Sequence, residues 1–245
     1  MNKYLSKFSE ISSLETFDAQ AFLANEQVSQ DVCNFVLTLA CIYNDYKDTI
    51  LALDYLSKVQ PPFPVEETAT WGEYNGIKFH VIRSQIALVH ELLKLIENNK
   101  KALEDTFYQS VVNQLDKRGR QSWRTLVAAS QGMKDSNKTA KILLMIRNKI
   151  SFHYDPKEIF KGYKKLFLDQ AIRKRTYISR GNTLKEERYY FAEAGAQRYF
   201  YTFYEDIGEE KFIKQMQNVI NSVAPALSQI IKHFIQKRGY GWKNV

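Results

Sequence analysis

The sequence is short of the residues that several fold and function classes require. It has only 10 Gly and 5 Pro in 245 residues, which leaves little room for the many tight turns of a β-sandwich. No run of about 18 apolar residues is present, so no transmembrane helix is predicted. The patterns G-x-G-x-x-G, P-loop and G-x-S-x-G are absent, which argues against a nucleotide hydrolase or an esterase.

Cysteine and histidine are scarce too, with 2 Cys and 4 His. Cys33 and Cys41 fall in one predicted helix, more than two turns apart and too far to bridge each other. We predict that both are buried small hydrophobic residues of a reduced, cytoplasmic protein. The N-terminal segment MNKYLSKFSEISS is too polar for a secretory signal. Without Cys-x-x-Cys or His-Glu-x-x-His, no metal site or cofactor is predicted.

The net charge of +8 is unevenly distributed along the chain. Residues 1–114 carry 9 Lys and Arg against 15 Asp and Glu, a net of −6. Residues 115–180 carry 17 against 5, a net of +12, and residues 181–245 carry 9 against 7, a net of +2. A local basic field favours a polyanionic partner such as nucleic acid, although a solvated basic surface gives the same pattern.

Helical spacing of apolar residues dominates the chain, and we predict an all-α protein, a bundle of antiparallel helices. The chain is treated as one domain, in which residues 1–64 add N-terminal helices to the part formed by 65–245. Residues 65–76 are predicted as a loop closed by Gly76, and QPPFP breaks the preceding helix. The predicted helices are 28–59, 78–98, 101–115, 120–131, one that ends at Asp155-Pro156, 156–175, 184–206 and 209–237.

The segment KILLMIRNKISFHYDP, residues 141–156, is an apolar helix with polar residues at unusual places. At 100° per residue, Arg147 lies beside the main apolar face and His153 within its C-terminal end. Asn148 falls with the solvent-facing lysines. Helix capping by Arg147 and His153 explains this arrangement, and so does a reactive site at the edge of a packed seam.

Within this segment, IRNKISFHYD resembles the signature of the HEPN superfamily, which is Arg, four to six residues, then His, often with a polar residue just after the Arg. Arg147 and His153 enclose five residues, and Asn148 occupies the polar position. The close match covers roughly residues 135–175. The resemblance implies a HEPN-like helical fold and a metal-independent endoribonuclease without cofactors, with Arg147, Asn148 and His153 as catalytic residues.

The residue types suit that chemistry. An imidazole such as His153 acts as general base or acid near neutral pH, and a guanidinium such as Arg147 binds two phosphate oxygens. Because Arg147 and His153 point about 120° apart on a uniform helix, we predict a homodimer that pairs them across a twofold axis. Lys149 and Tyr154 are candidates for substrate positioning, and Tyr154 equally fits a hydrophobic staple.

Further basic residues are candidate RNA phosphate contacts, although an ordinary basic helix start also explains the first three: Arg118, Arg120, Arg124, Arg173 and Arg175. The aromatic run at 188–204 fits base stacking, but core packing is the favoured reading because small residues lie among the rings.

The resemblance implies RNA as substrate, with a role in a toxin–antitoxin or antiphage system and an antitoxin or other regulatory protein as partner. Two alternatives stay open. One is a non-catalytic HEPN module that binds a nucleotide or RNA or pairs with a nucleotidyltransferase, and the other is a helical adaptor.

Overall fold

The computed structural model describes residues 15–65, 68–131, 143, 148, 155–169, 176–179, 183, 187–207, 209–239 and 243–244. Within these ranges the regular structure is almost entirely helical, which confirms the predicted all-α class. The exception is a short antiparallel pair, β1 (Glu15–Thr16) and β2 (Lys243–Asn244). The finer prediction of a HEPN-like antiparallel bundle stays a prediction.

Helix α1 (Gln30–Lys58) matches the predicted 28–59 closely. It begins at Ser29, whose side chain accepts a hydrogen bond from the N–H of Val32. Cys33 is buried as predicted, but the prediction for Cys41 is wrong, because Cys41 is exposed. Eight residues turn the helix by about 80° beyond two full turns, so Cys41 leaves the core-facing side.

Helix α2 (Ala69–Asn98) begins earlier than the predicted residue 78. The predicted loop at 65–76 is therefore wrong from Ala69 onward, since Gly72 and Gly76 lie inside the helix. Side chains from elsewhere occupy the space beside both glycines. A Cβ added to Gly72 would lie 2.5 Å from the Tyr190 ring, and one on Gly76 would lie 2.1 Å from Arg188 Nη2. These glycines allow close packing and form no turn.

The predicted helix 101–115 is divided into α3 (Lys100–Glu104) and α4 (Thr106–Val112). The division falls at Asp105, whose carboxylate accepts hydrogen bonds from the N–H groups of Phe107 and Tyr108 at 2.8 and 3.1 Å. Such a carboxylate starts a new helix by satisfying its first donors. The spacing of apolar residues over 101–115 is compatible with one continuous helix, so it does not reveal this break.

Helix α5 (Lys117–Gln131) begins at Lys117, three residues before the predicted start. The Asp116 carboxylate accepts from the N–H of Gly119 at 2.6 Å. This bond, with a further one from Gln229, lowers the pKa of Asp116. Gly119 also leaves room for Gln229, because an added Cβ would lie 2.5 Å from its Oε1.

The last three helices are α6 (Pro156–Phe167), α7 (Tyr190–Ile207) and α8 (Glu209–Lys237). Asp155 caps α6, and Pro156 occupies its first turn. Helix α6 ends well before the predicted residue 175, and residues 170–175 lie outside the described part of the chain. Helix α7 begins at Tyr190 instead of 184, because Arg188 exchanges two backbone hydrogen bonds with Ser179.

Helices α1 to α5 and α8, here called the main bundle, enclose most of an apolar core, to which Ala196, Tyr199 and Phe200 of α7 also contribute. Helix α1 packs on α2 and α8, and α5 packs on α8 and α2. The largest fully buried side chains include those of Phe35, Leu39, Leu92, Leu126 and Phe234. Burial of such side chains provides most of the stability of a helical protein.

Helices α6 and α7, the α6–α7 pair, are in backbone contact. A Cβ added to Gly162 would lie 2.0 Å from the carbonyl oxygen of Gly195. This confirms the close helix contact predicted from the small residues of the 188–204 segment. Tyr199 and Phe200 of that segment are buried, which favours core packing of these two rings over base stacking.

Candidate functional site

Most of the predicted site residues lie outside the described part of the chain. These are Arg147 and His153 of the motif, the positioning candidates Lys149 and Tyr154, and the basic residues Arg173 and Arg175. Asn148 is described, and so are Arg118, Arg120 and Arg124. The predicted roles of all these residues stay predictions.

Two residues of the motif segment are placed by the structure. Leu143 is helical and fully buried, and it belongs to the hydrophobic core. Asn148, five residues later, lies in a π-helical turn and is half-buried. The uniform helical wheel had put Asn148 with the solvent-facing lysines. A π turn contains more residues than an α turn, so a constant 100° step does not describe the position of Asn148.

The segment that follows the motif is anchored by polar contacts to the α6–α7 pair. Asp155 accepts hydrogen bonds from the N–H groups of Lys157 and Glu158 at 3.0 and 3.4 Å. The hydroxyl of Tyr199 on α7 in turn donates a hydrogen bond to the Glu158 carboxylate. Burial raises the pKa of Tyr199, and the bond and negative charge of Glu158 raise it further. The start of α6, directly after FHYDP, is therefore held against α7.

Arg120 and Arg124 lie together on one side of a groove of about 360 Å³ between α5 and the α3–α4 segment. Both side chains are exposed, and Arg120 Nη1 lies 3.4 Å from the carbonyl oxygen of Asn113. Gln109 and Gln131 also line this groove. The two arginines are four positions apart in sequence, so one helix face presents both. This feature is called the α5 groove.

Arg118 is exposed as well, but it does not line the α5 groove. Two residues correspond to 200° of helix rotation, so Arg118 points about 160° away from Arg120. Its charge lies near Asp116 and contributes to lowering the pKa of that carboxyl. The structure thus brings two of the three candidate phosphate contacts of α5 together and separates the third.

The chemistry of the described residues offers no metal centre. No group of three or more His, Cys, Asp and Glu side chains in the described ranges is arranged to hold a metal ion. Within the described helices, none combines the length and apolarity needed to cross a lipid bilayer.

Sequence reasoning missed an ion-pair cluster formed by Arg188, Glu73 and Glu193. Arg188 Nη1 lies 2.8 Å from Glu73 Oε1, and its Nη2 and Nε lie 2.5 and 2.9 Å from the two Glu193 oxygens. These bonds raise the pKa of Arg188. The sequence signal for this cluster is the pair Gly72 and Gly76, because their four-residue spacing places both glycines on one helix face. The absence of side chains there leaves room for Tyr190 and Arg188.

Comparison with known protein families, curated proteins and solved structures finds no significant match for this chain.

Proposed function

We propose that this protein is a metal-independent endoribonuclease of HEPN type. The observation that carries the proposal is the position of Asn148, a half-buried amide in a π-helical turn, five residues after the fully buried Leu143. Single π turns inside α-helices occur frequently at functional sites. Asn148 also follows Arg147 directly in the sequence, at the position where the HEPN signature often has a polar residue.

In the proposed reaction His153 removes the proton of a ribose 2′-hydroxyl. The 2′-oxygen then forms a bond to the adjacent phosphorus, and the bond from phosphorus to the 5′-oxygen breaks. Arg147 stabilises the negative charge of the phosphorane, and Asn148 orients the phosphate or the imidazole. The departing 5′-oxygen takes a proton from water, and the imidazolium of His153 returns its proton to the hydroxide that remains. The products are a 2′,3′-cyclic phosphate and a 5′-hydroxyl, and no metal is needed to balance this step.

The charge distribution supports RNA as the substrate. The segment 115–180 has a net charge of +12 and contains both the motif and helix α5. Arg120 and Arg124 are exposed on the α5 groove, and neither has an ion-pair partner among the described residues. Side chains that keep their charge accessible bind phosphate and release its counterions. We assign these two arginines to the RNA backbone.

Toxicity on expression in bacteria tests the proposal. Induction of the parent chain is expected to stop growth, and Arg147→Ala or His153→Ala is expected to restore it. Lys141→Ala is the matched control, because Lys141 lies in the same segment outside the motif and should remain toxic. If both motif variants remain as toxic as the parent at equal protein levels, the catalytic assignment is wrong and a non-catalytic binding module is favoured.

The proposal includes a homodimer in which Arg147 of one subunit acts with His153 of the other. Mixing Arg147→Ala with His153→Ala tests this arrangement. Half of the randomly mixed dimers contain one of each, and each such dimer has one intact site, so about a quarter of the parent activity should return. If each site is formed within one subunit, the mixture stays as inactive as either variant alone.

A further inference from the structure

A cleft of about 680 Å³ lies between the first half of α2, the end of α6 and the first half of α7. The segment 176–179 closes one side of it, fixed by the two backbone hydrogen bonds between Ser179 and Arg188 at 3.0 and 3.3 Å. Tyr190 lies beside this segment, since its hydroxyl is 3.3 Å from Ser179 Oγ and 3.1 Å from the carbonyl oxygen of Ala69 at the start of α2. The volume is typical of sites for small molecules.

The charge of this cleft contrasts with that of the α5 groove. Among the described residues that line it, Glu193 is the only one with a charged side chain. Arg188 neutralises part of that charge, but it is shared with Glu73. Two carboxylates and one guanidinium leave a net charge of −1 in the cluster. A carboxylate also has about four acceptor positions, of which the two bonds from Arg188 use two.

The remaining lining is largely aromatic. Five rings line the cleft, those of Phe79, Phe167, Tyr177, Tyr190 and Phe191. The faces of aromatic rings attract cations and pack well against flat apolar groups. A carboxylate among such rings is the combination that recognises an organic ammonium group.

We propose that this cleft binds a small organic cation with an apolar body, such as an aromatic amine. The ammonium group donates to the Glu193 carboxylate, and the apolar body lies among the rings of Phe79, Phe167 and Phe191. The cleft rejects phosphates and carboxylates, because an anion would face the net negative charge of the cluster. This site goes beyond the proposed ribonuclease, and RNA plays no part in it.

Two probes that share one ring system and differ in charge test the proposal. Tryptamine and indole-3-acetate are titrated separately into the purified protein, and binding is followed by saturation-transfer NMR and calorimetry. Tryptamine should bind saturably and at least about tenfold more tightly, the effect of one charge-assisted hydrogen bond. Absence of saturable tryptamine binding, or equal or tighter binding of indole-3-acetate, would overturn the proposal.

Matched variants locate the site. Glu193→Gln should weaken tryptamine binding about tenfold, whereas Glu73→Gln, which removes a charge of the same cluster from outside the lining, should weaken it only about threefold. Ala194→Phe fills the cleft and should abolish binding, and Ala192→Phe on the exposed side of α7 should not. Thermal unfolding establishes that each variant is folded. Equal effects within either pair would contradict a site at Glu193.

The tests of the cleft measure tryptamine binding and not RNA cleavage, so the two proposals can fail separately. A protein that fails to cleave RNA and still binds tryptamine refutes the proposed function alone. A protein that cleaves RNA and ignores tryptamine refutes the cleft alone.

Discussion

The main bundle and the α6–α7 pair are held together by different means. In the main bundle, long apolar side chains such as Phe35, Leu92 and Phe234 fill the space between helices. In the α6–α7 pair, Gly162 meets the backbone at Gly195. The pair contacts α2 through the edge-to-face rings of Phe79 and Phe200, 5.8 Å apart, and through the ion pairs of Arg188.

The difference predicts different tolerances to substitution. An apolar core made of many side chains adapts to moderate changes of one of them. At Gly162 an added Cβ would meet backbone atoms that cannot move aside as a side chain can, so one added methyl group is costly there. The two proposed sites lie in different regions. The α5 groove belongs to the main bundle, and the cleft borders the α6–α7 pair.

The largest expected effect comes from placing a methyl group in the backbone contact. Gly162→Ala should destabilise the protein by about 2 kcal/mol, although alanine is normally the better helix former by about 1 kcal/mol. Hydrogen exchange should rise in residues 156–167 while α1 keeps its protection.

Gly195→Ala is the matched control in the same contact. Its added Cβ would lie 3.2 Å from Tyr163 Cβ, so helix propensity and crowding nearly cancel and the change should stay below about 1 kcal/mol. The comparison would be contradicted if Gly162→Ala raised hydrogen exchange equally in residues 156–167 and in α1. It would also be contradicted if the Gly162→Ala protein were as stable as the parent.

The next effect concerns the exposed charges of the main bundle. The double variant Arg120→Ala with Arg124→Ala should weaken binding of single-stranded RNA about tenfold and reduce the salt dependence by about two phosphate contacts. His153→Ala serves as the background, so that RNA remains intact during fluorescence-anisotropy titrations. Arg118→Ala, which removes one charge from the other side of α5, should change affinity less than about threefold. A larger loss of RNA affinity in Arg118→Ala would contradict this assignment, because it would place the RNA on the opposite side of α5.

The smallest effect lies inside the main bundle. Tyr46 of α1 donates a hydrogen bond of 2.7 Å to the carbonyl oxygen of Ile220 in α8. Tyr46→Phe removes this bond and should lower the free energy of urea unfolding by about 1 kcal/mol. Tyr55→Phe, at an exposed position of the same helix, should change it by less than about 0.5 kcal/mol.

The same tyrosine gives a pH dependence. Burial raises the pKa of Tyr46 to about 12 from its ordinary value of 10. The folded protein therefore keeps the proton more tightly than the unfolded chain, so this contribution is intact below pH 10 and is lost as the pH rises from 10 to 12. Unfolding experiments over this window should show a shallower loss of stability in Tyr46→Phe than in the parent. An equal slope in both would contradict the assignment.

Sequence reasoning worked best where a long apolar period stands alone. Helices α1 and α8 were predicted within two residues at each end, because their apolar stripes extend over many turns. The start of α2 was missed because Gly72 and Gly76 are turn signals in a local reading. Their actual neighbours, Tyr190 and Arg188, lie more than 100 residues away in sequence, and no local pattern reveals them.

The two candidate sites also differ in how much of each could be predicted from the sequence. Helical spacing alone already places Arg120 and Arg124 on one face and Arg118 on another. The cleft could not be predicted, since its carboxylate, its rings and its rim come from α2, α6, α7 and the segment 176–179. The π turn at Asn148 was also invisible to a wheel that assumes one constant rotation per residue.

Incubation of the purified protein with RNA in excess EDTA tests the central claim most directly. The parent should cleave RNA and leave 2′,3′-cyclic phosphate and 5′-hydroxyl ends, and His153→Ala should reduce the rate at least about 100-fold, as expected for loss of a general base. An EDTA-treated parent that leaves the RNA intact, or a His153→Ala protein that cleaves as fast as the parent, would contradict the proposed ribonuclease.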